Sequence, residues 1–486
     1  MKKIKTLLVL LLIFSLLACN INNKNQPNII IILTDDMDSK LMPYMPKTNQ
    51  LIGEQGATFT NYFITTPICC PSRASMLRGQ YAHNTDILEN TPGFTRFFKL
   101  EEEKDALPVW LNNAGYQTAL IGKYLNNYPT NAGRNYVPPG WSLWNVFQYG
   151  NHYYYDYTMN ENGKLVEYQN AETDYSTDVI KEKSLRFIDA NLTNASPFFL
   201  LVSVYAPHGP SIPALRHSAL MNNLKYPQSP SFNETDISDK PTVIQALSQT
   251  GDEFDEGDAN YLFQKRAQSL QAVDELVEEI IQTLEVNNAL DNTYIIFTSD
   301  NGFHMGEHGI PAGKALAYEE DIKVPFLIRG PDITPNSTVN QMTANIDLAP
   351  SIAELANVNT PDFVDGRSFV SLLQNEKDVW RNSLLIEFGY IRDEANATQQ
   401  PPSSPQNEAN NIKFRAIRFE HHIYIEYENG EKEFYDLIQD PYQLENKVSN
   451  LNHDTVNWLQ EQLQILQFCV AKECRYAEDE LTFEMR

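Results

Sequence analysis

Four short runs of consecutive apolar residues, each ending abruptly at polar residues, stand out along the chain. They occupy residues 29–33, 118–121, 198–204 and 293–298. Strands buried on both faces of a parallel sheet are apolar at nearly every position, so these runs predict central parallel strands. The polar residues that follow the four runs are Asp35 with Asp36, Lys123, His208, and Asp300 with Asn301.

Stretches with apolar residues at helical spacing alternate with these runs. One begins at Leu107, and two longer ones span residues 176–191 and 259–286. Strands that alternate with helices predict an α/β fold, here a large, mostly parallel sheet flanked by helices. Binding sites in such sheets gather beyond the carboxyl ends of the strands, so we expect the polar residues after the four runs to share one crevice.

The C-terminal part of the chain has a different pattern. Residues 396–410 are polar and rich in proline, which predicts an exposed loop. Residues 414–419, 422–427 and 432–435 look like short antiparallel strands, with Asn-Gly at 429–430 as a hairpin turn. Residues 456–468 predict a closing amphipathic helix. We therefore expect a main domain over residues 27–375 and a small α+β C-terminal domain with an antiparallel sheet over residues 376–486.

The N-terminus predicts export and a lipid anchor. A basic start precedes an apolar run at residues 7–17, about half the length that spans a bilayer, which indicates a signal peptide. Residues 16–19, Leu-Leu-Ala-Cys, resemble the bacterial lipobox; a plain signal peptide cut nearby is the alternative. We expect a signal peptide over residues 1–19, lipidation of Cys19 and a tether over residues 20–26. The protein would then be an exported lipoprotein of the periplasm or cell surface, membrane-bound only through its lipid.

The net charge excludes one class of binding partner, and the cysteine positions suggest one disulfide. The formal net charge is −26 at pH 7, and such a surface repels nucleic acids and anionic membranes. Because no basic run opposes this charge, we exclude a nucleic acid partner. Cys469 and Cys474 could close a small loop as a disulfide in an oxidising compartment. Cys69 and Cys70 are adjacent, and adjacent cysteines rarely bond to each other, so they need another explanation.

The segment Cys69-Cys70-Pro71-Ser72-Arg73 resembles the Cys-x-Pro-x-Arg signature of the type I sulfatases. The register selects Cys69, two residues before the proline, and the following run into Gly79 is similar to that of the family. The resemblance implies that a sulfatase-maturing enzyme, such as a formylglycine-generating enzyme, oxidises Cys69 to formylglycine. One hydroxyl of the hydrated aldehyde would attack sulfur, and the other would expel sulfate. Proline suits the first turn of a helix, so we expect Cys69 at a helix N-terminus, which favours anions.

The same resemblance implies one divalent metal. The family binds it through an Asp-Asp pair after the first strand and an Asp-Asn-Gly segment after a later one. Here these residues are Asp35, Asp36, Asp300 and Asn301, with the oxidised Cys69 completing the site. A set of oxygen ligands without histidine favours a hard cation, so we expect Ca²⁺, with Mg²⁺ as the alternative.

Four further residues resemble the groups with which the family binds sulfate. Arg73 would orient the hydrated aldehyde, and Lys123 and Lys314 would pair with sulfate oxygens. His208 would deliver a proton to the leaving alcohol. His308 is a second candidate for that acid, or a substrate contact.

The resemblance covers nearly the whole mature chain and implies the alkaline-phosphatase-like fold of the sulfatases. Gly122-Lys123-Tyr124-Leu125-Asn126 is similar to the branch of N-acetylglucosamine-6-sulfatases and heparan 6-O-endosulfatases. We therefore expect hydrolysis of sulfate esters on a sulfated carbohydrate. A 6-O-sulfated hexosamine is one candidate substrate. An algal polysaccharide such as ulvan is another, because seawater-like salt would screen the repulsion between this acidic protein and an anionic polymer. The alternatives are a phosphatase or phosphodiesterase of the same superfamily and an inactive glycan-binding homologue.

Overall fold

The computed structural model describes residues 26–148, 150, 154–194, 196–249, 254–374, 380–389 and 412–483. The predicted signal peptide with Cys19, the tether except for its last residue, and the loop at residues 396–410 lie outside the described residues. The expected domain boundary between residues 375 and 376 lies outside them as well. Within the described residues, no helix combines the length and apolar character that crossing a membrane requires.

A large mixed sheet forms the centre of the molecule. Its strand order is β11-β2-β10-β9-β1-β8-β4-β5-β6-β7, and the four predicted strands β1, β4, β8 and β9 pair in parallel at its middle. The strands are β1 (Asn28–Asp35), β2 (Ala57–Phe59), β4 (Gln117–Gly122), β5 (Leu143–Phe147), β6 (Tyr157–Glu161), β7 (Lys164–Tyr168), β8 (Phe198–Pro207), β9 (Thr293–Ser299), β10 (Phe326–Arg329) and β11 (Ser337–Val339).

Helices cover both faces of this sheet, as predicted. Alternate residues of β1 divide between two apolar clusters: Ile29 and Ile31 pack on one face, and Ile30 and Ile32 pack on the other. The helices are α1 (Pro46–Thr48), α2 (Cys69–Arg78), α3 (Ala82–Thr85), α4 (Phe94–Lys99), α5 (Leu107–Asn113), α6 (Ser176–Asn194), α7 (Thr242–Ser248), α8 (Glu256–Val286), α9 (Glu319–Ile322), α10 (Leu348–Leu355) and α11 (Val370–Leu373).

A second, antiparallel sheet lies in the C-terminal part of the chain. The three predicted strands are present, and a fourth, β13, which the sequence pattern did not identify, pairs with β14 at one edge. The predicted closing helix is present as α12 (His453–Phe468). The disulfide between Cys469 and Cys474, which is confirmed, joins the residue after α12 to a further helix, α13 (Lys472–Glu480). The remaining elements are β3 (Tyr62–Phe63), β12 (Thr343–Ala344), β13 (Ser383–Phe388), β14 (Phe414–Phe419), β15 (His422–Tyr427), β16 (Lys432–Asp436), α12 (His453–Phe468) and α13 (Lys472–Glu480).

The antiparallel sheet packs directly on the rest of the molecule. Phe63, Tyr81 and Tyr318 from the N-terminal three quarters belong to the same apolar cluster as Ile386 and Ile425 of the sheet. The two parts therefore share a core, and the division at residue 375 stays a prediction.

The helix that contains the cysteine pair begins where the sequence predicts, and it ends at Gly79. Cys69 is its first residue and Pro71 lies in its first turn, where a missing N–H costs no hydrogen bond. Gly79 ends it with φ of 67°, and its N–H donates to the carbonyl of Ser75 at 2.7 Å. A left-handed φ is strained for residues with a Cβ, so the glycine is required at this position.

Replacing Gly79 with alanine tests how much this helix end contributes to stability. A Cβ at Gly79 would lie 2.8 Å from Cγ1 of Val364, in addition to the left-handed φ. We expect Gly79→Ala to lower the free energy of unfolding by about 2–3 kcal/mol, from the backbone strain and the overpacking together. Chemical denaturation measures the change.

Gly115→Ala is the matched control, because Gly115 has φ of 94° and its Cβ would meet nothing within 4 Å. It should cost only the backbone strain, about 1 kcal/mol. Equal losses in the two variants would contradict the close packing at Gly79.

Candidate active site

The two acidic segments that follow β1 and β9 lie side by side. These strands are parallel neighbours, so their carboxyl ends reach the same edge of the sheet. The backbone N–H of Asp36 donates to Oδ1 of Asp300 at 3.1 Å, and Nδ2 of Asn301 donates to Oδ1 of Asp36 at 2.7 Å. Asp36 adopts a positive φ of 65°, which turns the chain sharply after Asp35. Four predicted residues are thus brought together, and all are buried.

The N-terminus of α2 places the Cys69 thiol at these carboxylates. Sγ lies 3.4 Å from Oδ1 of Asp35 and 4.0 Å from Oδ1 of Asp36. Nζ of Lys314, which is also paired with Oδ1 of Asp36, donates to Sγ at 2.8 Å. Cys70 belongs instead to the apolar cluster on one face of the sheet, so the neighbouring cysteine has a packing role.

Arg73 lies one helical turn after Cys69 and connects three strand ends. Its Nε donates to Oδ2 of Asp300 at 2.7 Å, and its Nη1 donates to the hydroxyl of Ser203 at 2.7 Å and to the carbonyl of Lys123 at 3.0 Å. Its Nη2 lies 3.9 Å from Oδ2 of Asp35 and has no hydrogen-bond partner among the described residues. Sequence reasoning missed Ser203, although it is the polar residue within the apolar run of β8.

Two lysines and a histidine complete the ring of charges. Nζ of Lys123 pairs with Oδ2 of Asp35, and Nζ of Lys314 pairs with Oδ1 of Asp36. Nε2 of His208 lies 3.6 Å from Oδ2 of Asp36, while its Nδ1 lies 2.7 Å from the carbonyl of Gly209. The His208 side chain is 29% exposed, the largest exposure among these three, so it borders the entrance to the site.

Burial and charge set the protonation states here. Burial alone would raise the pKa of Asp35, but the charges of Lys123, His208 and Arg73 hold that pKa far below its ordinary value. The pKa of Asp300 is raised, first by burial and then by repulsion from Asp35. Burial, aided by the Asp35 charge, also raises the pKa of Cys69 to about 12. The unmodified thiol is therefore protonated at neutral pH.

The donor set fits a hard divalent cation. Ligand atoms of Asp35, Asp36, Cys69 and His208 all lie within 4.8 Å of one another; His208 was not among the predicted ligands, and the predicted ligand Asp300 is not in this group. Oδ1 of Asn301 is buried and has no hydrogen-bond partner among the described residues, so an oxygen lone pair is left for a ligand. Oxygen donors of carboxylates and amides are those that Ca²⁺ and Mg²⁺ prefer.

The sequence did not predict the contacts of His308. His308 is buried, its Nδ1 lies 2.6 Å from Oε2 of Glu234, and its ring packs on Tyr318 at 4.3 Å between centroids.

Arg266, which the sequence analysis missed, donates from Nη2 to the carbonyl of Asp36 at 2.5 Å. An arginine on the otherwise apolar face of α8 is the signal that could have identified it.

A cavity of about 160 Å³ opens beside Lys123 and His208. It lies beyond the carboxyl ends of β4, β5 and β8. Aromatic rings and an amide are suited to the apolar faces and hydroxyl groups of a sugar. The other lining residues are Tyr124, Leu125, Asn126, Tyr128, Phe147 and Tyr205.

Buried cations and carboxylates around one nucleophile position are the arrangement of a hydrolase that acts on an anionic ester. The family model described as Sulfatase matches residues 27–358, and the model described as N-sulphoglucosamine sulphohydrolase, C-terminal, matches residues 306–468. The chain therefore belongs to the sulfatase family and is a sulfuric ester hydrolase.

Individual relatives agree with this assignment. N-acetylglucosamine-6-sulfatase of Capra hircus is 35% identical over 480 residues, covering 93% of this chain and 85% of that protein. An extracellular sulfatase, the SULF-1 homologue of Drosophila melanogaster, is 36% identical over 404 residues, covering 81% of this chain and 36% of that protein. A solved structure in complex with D-glucosamine-2-N,6-O-disulfate superposes with a TM-score of 0.73 at 24% identity, covering 94% of this chain and all of that one. The expected fold and family are confirmed.

Proposed function

We propose that this sulfatase hydrolyses sulfate esters on a carbohydrate through a formylglycine made from Cys69 and one divalent metal. The observation that carries the proposal is the position of Sγ of Cys69, 3.4 Å from Asp35 and 2.8 Å from Lys314 at a helix N-terminus. A group at this point meets both the oxygen ligands of a cation and the ammonium that would hold sulfate.

The thiol itself is a poor nucleophile in this site. With its pKa raised to about 12 by burial and by Asp35, Cys69 is a neutral thiol, and the thiolate is the reactive form. Oxidation to formylglycine by a sulfatase-maturing enzyme removes that obstacle, because the hydrated aldehyde supplies one hydroxyl to attack sulfur and another to release sulfate.

Asp35, Asp36, Asp300 and Asn301 are the proposed metal ligands, together with the oxidised Cys69. When bound, Ca²⁺ or Mg²⁺ supplies positive charge to a sulfate oxygen and to the attacking hydroxyl. The protein's own part is orientation: Arg73 fixes Asp300 through Nε, and Arg266 fixes the turn after Asp35 through the carbonyl of Asp36.

The two lysines and His208 have different proposed roles, sulfate binding and proton transfer. Lys123 pairs with Asp35 and Lys314 pairs with Asp36, both beside Cys69, so each can contact a sulfate oxygen as charge develops. Burial disfavours a charged lysine, but Asp35 outweighs it and raises the pKa of Lys123, which keeps this lysine cationic. The Nδ1–H of His208 donates to the carbonyl of Gly209. Its Nε2 is therefore the ring nitrogen that can deliver a proton to the leaving alcohol. His308 stays the second candidate for this role.

Two rival functions use the same scaffold. A phosphatase or phosphodiesterase of the superfamily would use Ser or Thr as nucleophile and two zinc ions with histidine ligands, whereas Cys69 faces a ligand set dominated by oxygen. An inactive glycan-binding homologue would have no need for the complete set of charged groups. That set is Asp35, Asp36, Cys69, Arg73, Lys123, His208, Asp300, Asn301 and Lys314.

A 6-O-sulfated hexosamine is the proposed substrate. The goat relative is named for that sulfate position, and the superposed structure holds a glucosamine with a 6-O-sulfate. The aromatic rings in the cavity beside Lys123 and His208 also suit a sugar face. An exported lipoprotein anchored through Cys19 would meet such a substrate outside the cytoplasm, which agrees with the extracellular fly relative.

The nucleophile is tested by serine substitutions at the two adjacent cysteines. We expect Cys69→Ser, produced with a formylglycine-generating enzyme that acts on a thiol, to lose nearly all turnover while still binding substrate, because serine has no thiol for that enzyme to oxidise. Cys70→Ser should keep turnover within about threefold of the wild type per folded molecule, since burying the serine hydroxyl lowers stability and does not alter the site. Peptide mass spectrometry should find the Cys69 residue of active wild type converted to the lighter aldehyde. Wild-type rates in Cys69→Ser would refute the mechanism.

The metal site is tested by thermal unfolding of chelator-treated protein. A cation at a hundredfold excess over its Kd should stabilise the wild type by about 2.7 kcal/mol, because it binds only the folded state. Asp36→Asn should abolish most of the Ca²⁺-induced rise in Tm. Glu433→Gln is the control, since Glu433 is a buried carboxylate that contacts Tyr318 and, within the C-terminal sheet, Tyr427. Equal rises in both variants would place the cation elsewhere.

The substrate is tested with a panel of sulfated sugars and polymers. We expect kcat/KM on N-acetylglucosamine-6-sulfate to exceed that on 2-O- or 4-O-sulfated sugars by at least about tenfold, the value of one or two well-placed contacts. Heparan, carrageenan and ulvan are assayed from low to high salt, because screening should raise rates on polymers and leave monosaccharide rates nearly unchanged. Activity confined to ulvan would replace the hexosamine with the algal substrate.

A further inference from the structure

Lys314 lies on a short segment whose two flanks are bonded to His304 and Asp321, two residues that contact each other. On the N-terminal flank, the backbone of Gly313 exchanges two hydrogen bonds with that of His304, at 2.9 and 3.0 Å. On the C-terminal flank, the N–H of Leu316 donates to Oδ2 of Asp321 at 2.8 Å. Nδ1 of His304 lies 2.9 Å from Oδ1 of Asp321, so the two flanks are joined through one His–Asp contact.

The backbone next to Asp321 also holds the segment after the metal ligands. The N–H of Gly302 donates to the carbonyl of Asp321 at 2.9 Å, and the N–H of Phe303 donates to the carbonyl of Glu320 at 2.8 Å. Gly302 directly follows Asn301. Residue 321 is therefore bonded to the segment with Asp300 and Asn301 and to the segment with Lys314.

The segment with Lys314 is also under backbone strain. Ala315 adopts φ of 75°, a left-handed conformation that residues with a Cβ rarely adopt. Such a residue persists only where its surroundings hold it, and here the holding contacts are the bonds at Gly313 and Leu316. Released from them, Ala315 would relax to a negative φ and turn the Lys314 side chain away from Cys69.

His304 and Asp321 are buried, with exposed fractions of 4% and 0%, and no step proposed above uses them. Burial opposes a charged imidazole, yet Asp321 outweighs it and raises the pKa of His304, which favours the Nδ1–H donor. The imidazole also packs on Gly313, where a Cβ would lie 3.1 Å from Nε2. The pair thus combines charge, hydrogen bonds and close packing at one point of the Lys314 segment.

We propose that His304 and Asp321 are positioning residues that hold Lys314 against Cys69 and lock its segment to the one with Asp300 and Asn301. The inference rests on the proposed function in one respect, the contact between Lys314 and sulfate. Neither residue touches the reacting atoms; both act through the backbone on either side of Lys314.

The central experiment is Asp321→Asn. The amide keeps one acceptor oxygen, so it cannot serve Leu316 and His304 as the carboxylate does. We expect kcat/KM for the sulfate ester to fall by about 10- to 100-fold, the usual cost of displacing one donor to a developing charge. The inhibition constant of inorganic sulfate should rise at least about threefold, because Lys314 would no longer face the anion.

A second substitution separates positioning from general structural damage. Glycine accepts a positive φ without strain, so Ala315→Gly in the Asp321→Asn background should recover kcat/KM by about three- to fivefold. Asp365→Asn is the structural control, because Asp365 is a buried carboxylate that bonds Tyr81 and Ala471. Ala315→Gly should recover nothing in that background. Equal recovery in both backgrounds, or none in Asp321→Asn, overturns the proposal.

Substitutions at His304 decide the question even if Asp321→Asn fails to fold. The Asn side-chain amide can donate from about the position of Nδ1, so His304→Asn should keep kcat/KM within about threefold of the wild type, whereas His304→Ala should lose about tenfold. Equal losses in these two variants contradict the proposal. A wild type without any sulfatase turnover would instead refute the proposed function, so the two failures are distinguishable.

Discussion

The burial of three carboxylates at one edge of the sheet is the constraint on which the site depends. Asp35, Asp36 and Asp300 lie out of contact with water, and like charges at such short range cannot coexist without compensation. The protein supplies Arg73, Lys123 and Lys314 within ion-pair distance. Because each of these cations comes from a different segment, the charge balance holds several parts of the chain around one point. That point is where the helix with Cys69 begins.

The position of each cysteine at the start of α2 decides its chemical surroundings. Cys69 faces the charges, while Cys70 faces the apolar core, so the two adjacent cysteines have opposite surroundings. A neutral, buried thiol among fixed cations and carboxylates is inert, but an oxidised group at the same place would meet an environment already organised for an anion. The organisation costs folding energy, because buried charges and the strained backbone at Ala315 must be held by their neighbours.

The antiparallel C-terminal sheet contributes to this support from a distance. Its strands share an apolar cluster with Tyr318, and Glu433 of β16 accepts a hydrogen bond from the Tyr318 hydroxyl at 2.9 Å. Tyr318 precedes α9, which contains Asp321. The sheet therefore anchors the segment that bonds both the turn with Asp300 and Asn301 and the turn with Lys314, which gives a physical reason for its close packing against Tyr318.

The sequence by itself determined the central strands, the polar residues at their ends and the choice of Cys69 over Cys70. Apolar runs and a proline in a helix start are local signals, and the parallel order of the strands then brings Asp35, Asp36, Asp300 and Asn301 to one edge. Only the tertiary structure decided the partners across long separations. Lys314 meets Cys69 from 245 positions away, and local patterns do not give the contact partners of Ser203, Arg266 or the His304–Asp321 pair, nor the pairing of the edge strand β13. Local patterns fix the conformation of a segment, whereas a contact between distant segments depends on how the whole core packs.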